Sequence, residues 1–183
     1  MPIQELPLIV QSDSEGTIMS EFEIIISDED IVYGESSPYL DTPLFVRIGG
    51  IAFPFSDWTD MTYPILCIWA EDLLKLQSGL DGKTILFFMD GPFWIEVKKD
   101  GDKISLLGIS NRNSRTVVCS SQCSMRELLE ELLKALNKLN GIVFRASNLP
   151  DGLKSTVNNA IKHYRTLIKS SMSTSQINQG TVL

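Results

Sequence analysis

The chain has few of the residues from which reactive centres are built. Its 183 residues include a single histidine, His163, and three cysteines, Cys67, Cys119 and Cys123. So sparse a set excludes a conventional zinc cluster and a disulfide framework, and it fits a reducing cytoplasm. The sequence also has no nucleophile elbow, no phosphate-binding loop and no complete calcium loop. We therefore predict a protein without catalytic residues, bound metal or cofactor.

Long apolar runs are also missing. The longest, residues 63–70, is bounded by Asp60 and Glu71 and is far shorter than the ~18–20 residues of a membrane-spanning helix. The first residues contain no basic stretch before an apolar core, and Glu5 occurs early, which is not the pattern of a secretory signal. These features predict a soluble cytoplasmic protein that does not associate with membranes.

Positive charge is absent from the first 42 residues, which hold ten acidic residues and no lysine or arginine. The net charge is −7, although residues 141–183 carry five basic residues and one acidic residue. Nucleic acid is a poor partner for such a chain, because phosphate binding needs concentrated positive charge. The acidic segment is interpreted either as a solvated face or as a surface that attracts a basic protein partner.

What the sequence does contain is a clear strand meander, Lys83–Ser110. Its first strand is apolar on both faces from Ile85 to Met89, which predicts a central position in a sheet. Asp90-Gly91-Pro92 breaks this strand, and a second one alternates from Phe93 to Lys98. Asp100-Gly101 then predicts a hairpin turn before the third strand.

Other patterns place further strands on both sides of this meander. A first hairpin is predicted over residues 4–11 and 17–27, a second around Gly49-Gly50 with strands 44–48 and 51–55, and a last strand at 115–119. Between them, spacings of three and four predict a helix near 62–78, with Thr62 as its cap and Gly79 at its end.

Two helices are predicted after the strands. The first begins at the capping box Ser124–Glu127 and ends at Gly141, and the second begins near Asp151. The fold prediction is therefore α+β, with an antiparallel β-meander of about six to eight strands, one inserted helix and two C-terminal helices. Residues 1–170 form one domain in this interpretation, and residues 171–183 form a disordered polar tail.

The aromatic and acidic residues offer two further interpretations. Trp94 shares a strand face with Glu96 and Lys98, so we expect it either to be covered by a helix or to be exposed as a binding hot spot. Asp60 with Asp57, or Asp90 at its turn, could act in acid–base catalysis if buried, although such residues also serve as caps and turns. The catalytic interpretation would make the protein a small hydrolase with a carboxylate pair.

The sequence predicts a helix in the segment Trp58–Leu76, a strand end and turn at Phe88–Phe93, and a leucine-rich helix at Glu127–Leu139. This order of elements resembles that of small acidic immunity proteins of bacterial polymorphic-toxin systems. The resemblance implies a non-enzymatic cytoplasmic protein that binds and blocks one cognate toxin, here a basic one. The predicted partner-binding residues are Asp28, Glu29, Asp30, Tyr33, Glu35, Tyr39, Asp41 and Trp94. The alternative is a structural or adaptor subunit of a larger assembly that uses a sheet face or edge.

Overall fold

The computed structural model describes residues 21–27, 40–79, 81–147 and 149–178, without the side chains of 174–178. The first sheet contains four strands, β1 (Phe22–Ile26), β2 (Asp41–Ile48), β3 (Ile51–Phe53) and β4 (Thr59–Met61). All of its pairs are antiparallel, and β2 lies at the centre. The C-terminal half of β2 pairs with both β1 and β3, and its first residues pair with β4.

The second sheet is an antiparallel meander of four strands in chain order. They are β5 (Asp81–Phe87), β6 (Phe93–Asp100), β7 (Lys103–Ser110) and β8 (Thr116–Ser124). The register of β7 with β8 shifts between Gly108 and Ile109, where a bulge interrupts the ladder. The three-strand meander predicted over Lys83–Ser110 is confirmed, and β8 extends it by one strand.

Three helices in the described part of the chain complete the α+β fold, which confirms the predicted fold class. Helix α1 (Thr62–Ser78) joins the two sheets, and α2 (Met125–Arg145) and α3 (Asp151–Asn178) follow β8. None of these helices is long and apolar enough to span a membrane. The eight described strands divide into two antiparallel sheets of four, in which β1–β2–β3 and β5–β6–β7–β8 each follow chain order as in a meander.

The core lies between the two sheets and the helices. Phe53 of β3 is fully buried and meets the rings of Phe88 and Phe93 edge-on, at centroid distances of 5.9 and 6.0 Å. Trp69 of α1 is also fully buried and packs on Phe88 at 5.4 Å. These aromatic contacts join the first sheet, the inner face of the second sheet and α1 into one core.

Helix boundaries follow local signals in one case and tertiary packing in others. The capping box of α2 is present, since Ser124 Oγ accepts from the Glu127 N–H at 3.2 Å and Glu127 Oε2 accepts from the Ser124 N–H at 2.7 Å. Thr62 does not cap α1, because it lies inside the helix and its hydroxyl bonds with that of Thr42 at 2.6 Å. The hydroxyl is therefore used to join α1 to β2.

Two predicted helix ends are wrong. Helix α2 continues through Gly141 to Arg145, because Ile142 and Val143 are fully buried and their burial outweighs the roughly 1 kcal/mol that a glycine costs inside a helix. Helix α3 continues past Ser170 to Asn178, and Met172 packs against the core. The polar composition after Ser170 therefore does not end the helix, and the rest of the predicted tail, 179–183, lies outside the described residues.

The position of β5 corrects another prediction. Its apolar residues on both faces predicted a central strand, but β5 is the edge strand of the second sheet. Alternation shows only that both faces are apolar and does not tell how many neighbours a strand has. Residues 4–20 of the predicted first hairpin lie outside the described residues, and β1 pairs with β2.

The predicted hairpin at Gly49-Gly50 is present and allows a direct stability test. Both glycines have positive φ, 57° and 80°. A β-carbon on Gly49 would lie 2.8 Å from the backbone oxygen of Ser120, whereas one on Gly50 would have no heavy atom within 4 Å. Gly49 therefore lets the β2–β3 turn approach β8 of the second sheet.

We predict that Gly50→Ala lowers the free energy of unfolding by about 1 kcal/mol, the cost of a left-handed alanine. Gly49→Ala has the same strain and also overlaps a backbone atom, so it should cost at least about 1 kcal/mol more. Urea unfolding of both variants measures the difference. Equal losses would show that the close approach to Ser120 does not contribute.

Candidate partner-binding surface

One face of the second sheet, called the outer face here, points away from the core. Its residues lie in cross-strand rows that follow from the strand register. The first row is Phe87, Trp94, Ile109 and Val117, the second is Ile85, Glu96, Leu107 and Ser120, and the third is Lys83, Lys98, Ser105 and Gln122. The outer face thus changes from apolar to basic along β5.

Much of the apolar part of the outer face is open to solvent, although Ile109 in its first row is fully buried. Phe87 is 54% exposed and Ile85 39%, and Val117 and Val118 are similarly exposed. Among the described helices, α1 packs on the inner side of β5, where Trp69 meets Phe88, and leaves these side chains uncovered. An exposed group of large apolar side chains on a sheet is typical of a surface that binds another protein.

Trp94 lies at the centre of this surface and is half-buried by its neighbours. Its ring is 6.3 Å from that of Phe87, and its indole N–H donates to Glu96 Oε1 at 3.2 Å. Trp94 is neither fully exposed nor packed beneath one of the described helices, because its cross-strand neighbours bury part of the ring. The indole is held in one orientation, as suits a binding anchor.

Glu96 is itself held by Arg115. One Arg115 nitrogen, Nη2, donates to both Glu96 oxygens at 2.9 Å, and these bonds, with that from Trp94, lower the pKa of the Glu96 carboxyl. Lys83 contributes to the same lowering. Glu96 is therefore ionised and already paired at neutral pH, so it adds no free negative charge to the outer face.

Lys83 and Lys98 are directly opposite each other in the β5–β6 register. Neither belongs to any of the ion pairs found among the described residues. Like charges at directly opposed positions repel each other, so an anionic group between them would be stabilised. They border a groove of about 690 Å³ that is also lined by Ile85, Glu96 and Leu107.

Most of the partner-binding residues predicted from the sequence lie outside the described residues. They are Asp28, Glu29, Asp30, Tyr33, Glu35 and Tyr39. Asp41 is described and begins β2 in the first sheet, while Trp94 is in β6 of the second. The alternation of residues along the strands predicts which side chains share the outer face, but whether those side chains are exposed depends on which elements cover the sheet.

Asp41 belongs instead to a group of carboxylates with Asp60 and Asp90. Burial raises the pKa of Asp60, and that of Asp41 is raised first by burial and then by the charges of Asp90 and Asp60. Asp60 is buried, which is the condition that the hydrolase interpretation requires of it. Among the described residues, no set of three potential metal ligands is grouped so that it could hold an ion.

The hydrogen bonds of Asp60 indicate what this buried carboxylate does. Oδ2 accepts from the Trp58 indole at 3.0 Å and from the backbone N–H groups of Met89 and Asp90 at 3.0 and 3.3 Å. Oδ1 accepts from the Met61 N–H at 2.8 Å. Both oxygens are thus occupied by donors from β4 and from the β5–β6 turn, so Asp60 holds the two sheets together.

Sulfur and imidazole offer little reactivity. Burial raises the pKa of the Cys67 and Cys123 thiols to about 12, so both are protonated near neutral pH. Burial also raises the pKa of Cys119. His163 is exposed on α3, where its ring lies 5.2 Å from that of Tyr164.

Comparisons with protein-family models, with curated proteins and with solved structures found no match to this chain.

The group of Asp41, Asp60 and Asp90 leads to two predicted effects on stability. Asp60→Asn places an amide NH₂ against donors that now bind a carboxylate, so it should lower the free energy of unfolding by roughly 2–4 kcal/mol. Asp41→Asn removes a charge whose Oδ1 is buried without a hydrogen-bond partner, so it should raise stability at neutral pH.

The effect of Asp41→Asn should depend on pH with a definite sign. The pKa of Asp41 is raised on folding, so the folded state binds its proton more tightly, and the unfolding free energy of the wild type falls as pH rises from about 3.8 through the raised value. The gain from Asp41→Asn should be complete above that value and absent below pH 3.8. Urea unfolding across this range would contradict the account if the gain were independent of pH.

Proposed function

We propose that the protein is a non-enzymatic binding protein of the immunity or inhibitor type, which uses the outer face to hold a cognate protein toxin. The observation that carries the proposal is the apolar row that contains Phe87, Trp94 and Val117, in which Phe87 and Val117 are exposed and the Trp94 indole is oriented by Glu96. Such aromatic anchors, fixed before binding, supply most of the energy of many protein interfaces.

The charge distribution supports a basic partner. The first 42 residues carry ten acids without a compensating base. Asp28, Glu29 and Asp30 would accelerate association with a basic toxin at long range, while the outer face would determine how long the complex lasts. The resemblance of Trp58–Leu76, Phe88–Phe93 and Glu127–Leu139 to polymorphic-toxin immunity proteins supports the same class of partner.

Two other functions are alternatives to this one. An adaptor subunit of a larger assembly is favoured by the same outer face and by the edge position of β5. A hydrolase is less well supported, because both oxygens of Asp60 accept bonds that hold β4 to the β5–β6 turn. A general base needs an oxygen that can reach a substrate proton.

The decisive experiment is neutralisation in cells. The gene directly upstream of this one in the source genome would be expressed in a bacterial host, alone and with this protein. We expect growth arrest alone and growth with the protein. The double variant Phe87→Ser, Trp94→Ser should lose the rescue by at least about tenfold in plating efficiency, because it removes the central anchors.

Phe144→Ser is the matched control, since Phe144 is 82% exposed but lies on α2, away from the outer face. It should rescue as well as the wild type, and thermal melts should show that all variants are folded. A harmless upstream product would contradict the immunity function and favour the adaptor. Full rescue by the double variant would contradict the use of the outer face.

A further inference from the structure

Strand β5 has the composition of an interior strand and the position of an edge strand. Ile85, Leu86 and Phe87 are apolar on both faces, which is typical of strands with neighbours on all sides. Natural edge strands are usually protected by charges, proline or bulges, yet the charges of β5 are confined to Asp81 and Lys83, and its apolar part pairs with β6 without a bulge. This combination is typical of an edge that receives another strand.

Backbone groups are available along this edge. The Phe88 N–H donates to the Phe93 oxygen at 3.2 Å, so by alternation the groups of Lys83, Ile85 and Phe87 point away from β6. The Trp69 indole donates to the outward Phe87 oxygen at 2.9 Å. No described strand lies beyond β5 to bind the outward groups of Lys83 and Ile85.

Space also exists beside the edge. A groove of about 310 Å³ separates the C-terminal part of α1 from the start of β5. It is lined by Lys75, Leu76 and Gly79 on one side and by residues 81–84 on the other. Helix α1 therefore borders the edge without filling it.

The side chains beside the edge define what would fit there. Along the outer face, β5 presents Phe87, then Ile85, then Lys83, and Lys83 faces Lys98. An antiparallel strand runs past these residues in that order, and its side chains on the outer face lie next to them. Its first two such residues would contact apolar side chains, and its third would lie next to the ammonium group of Lys83, with that of Lys98 one strand farther away.

We propose that β5 receives an extended segment of a partner protein as an additional antiparallel strand, and that this segment carries two apolar residues and then an acidic one at every second position. Backbone bonds to Lys83 and Ile85 would supply affinity, and the carboxylate beside Lys83, with the charge of Lys98 on the next strand, would set the register. The inference rests on the proposed function only in taking the outer face as a surface for protein.

A second copy of this chain is a poorer match. In a two-fold antiparallel pair centred on Ile85, Lys83 of one copy would lie opposite Phe87 of the other, and no carboxylate would meet the lysines. A pair centred on Gly82 would place Asp81 opposite Lys83 but would leave Ile85 and Phe87 without a partner in the other β5. The charge of the groove thus favours an acidic segment of a different protein.

The test uses the full-length protein and two designed peptides with fluorescent labels. The first is Thr-Val-Thr-Ile-Thr-Glu-Thr, blocked at both ends, and the second has Lys in place of Glu. We expect saturable binding of the first, at least about tenfold tighter than the second at low salt, with the ratio falling as salt rises. Equal binding of the two, or no saturation by the first below 1 mM, would overturn the proposal.

Three variants locate the binding on the protein. Ile85→Pro removes an outward N–H that β6 does not use, so the fold should persist while binding falls at least about tenfold. Ile85→Thr keeps that N–H and should lose less. The double variant Lys83→Glu, Lys98→Glu should reverse the preference and bind the lysine peptide more tightly.

Unchanged binding to Ile85→Pro, with the fold intact, would show that the peptide binds elsewhere and would overturn strand addition. Sedimentation without peptide tests the second copy, since a dimer disrupted by Ile85→Pro would assign the edge to self-association. The peptide result can be separated from the proposed function. Peptide binding without rescue in cells would refute only the toxin partner. Rescue in cells by the Ile85→Pro variant would refute only strand addition at the β5 edge.

Discussion

The carboxylate of Asp60 joins parts of the chain that local signals cannot bring together. It lies at β4 in the first sheet and accepts the N–H groups of Met89 and Asp90 from the turn that ends β5. It also binds the Trp58 indole, whose ring packs edge-on against Phe93 at 5.2 Å. Because the β5–β6 turn is held at this point, the second sheet presents one face to the core and the other to solvent.

The consequences extend to the outer face. With Phe88 and Phe93 fixed inward against Phe53, alternation directs Phe87 and Trp94 outward. A change in register of one residue would exchange the two sets and bury the charged residues. The interaction that keeps Asp60 in the core thus also determines which side chains can meet a partner, although Asp60 does not lie on that surface.

Local signals in the sequence predicted much of the fold. Ser124 and Glu127 form the predicted capping box, and Gly49-Gly50 forms the predicted turn, because each depends on residues within three or four positions. The edge position of β5 and the end of α2 beyond Gly141 could not be predicted in this way. Both depend on neighbours that are distant in the sequence and on the burial they provide.

The candidate site also combines features that are local in the sequence with features that depend on distant residues. The sequence identifies Trp94 as a candidate binding residue by its place on a strand face with Glu96 and Lys98, which is a local pattern. Its row with Phe87, Ile109 and Val117 required the pairing of four strands. The convergence of Asp41 with Asp60 and Asp90 likewise joins residues from two sheets, so sequence spacing contained no sign of it.

The central claim is that β5 is an open edge beside an uncovered apolar face, and amide hydrogen exchange of the free protein tests it most directly. The account predicts fast exchange at Lys83 and Ile85, whose N–H groups point outward, and slow exchange at Thr84 and Leu86, whose N–H groups bind β6. Uniform protection along β5 at a concentration where the protein is monomeric would contradict it, because the chain itself would then cover the edge.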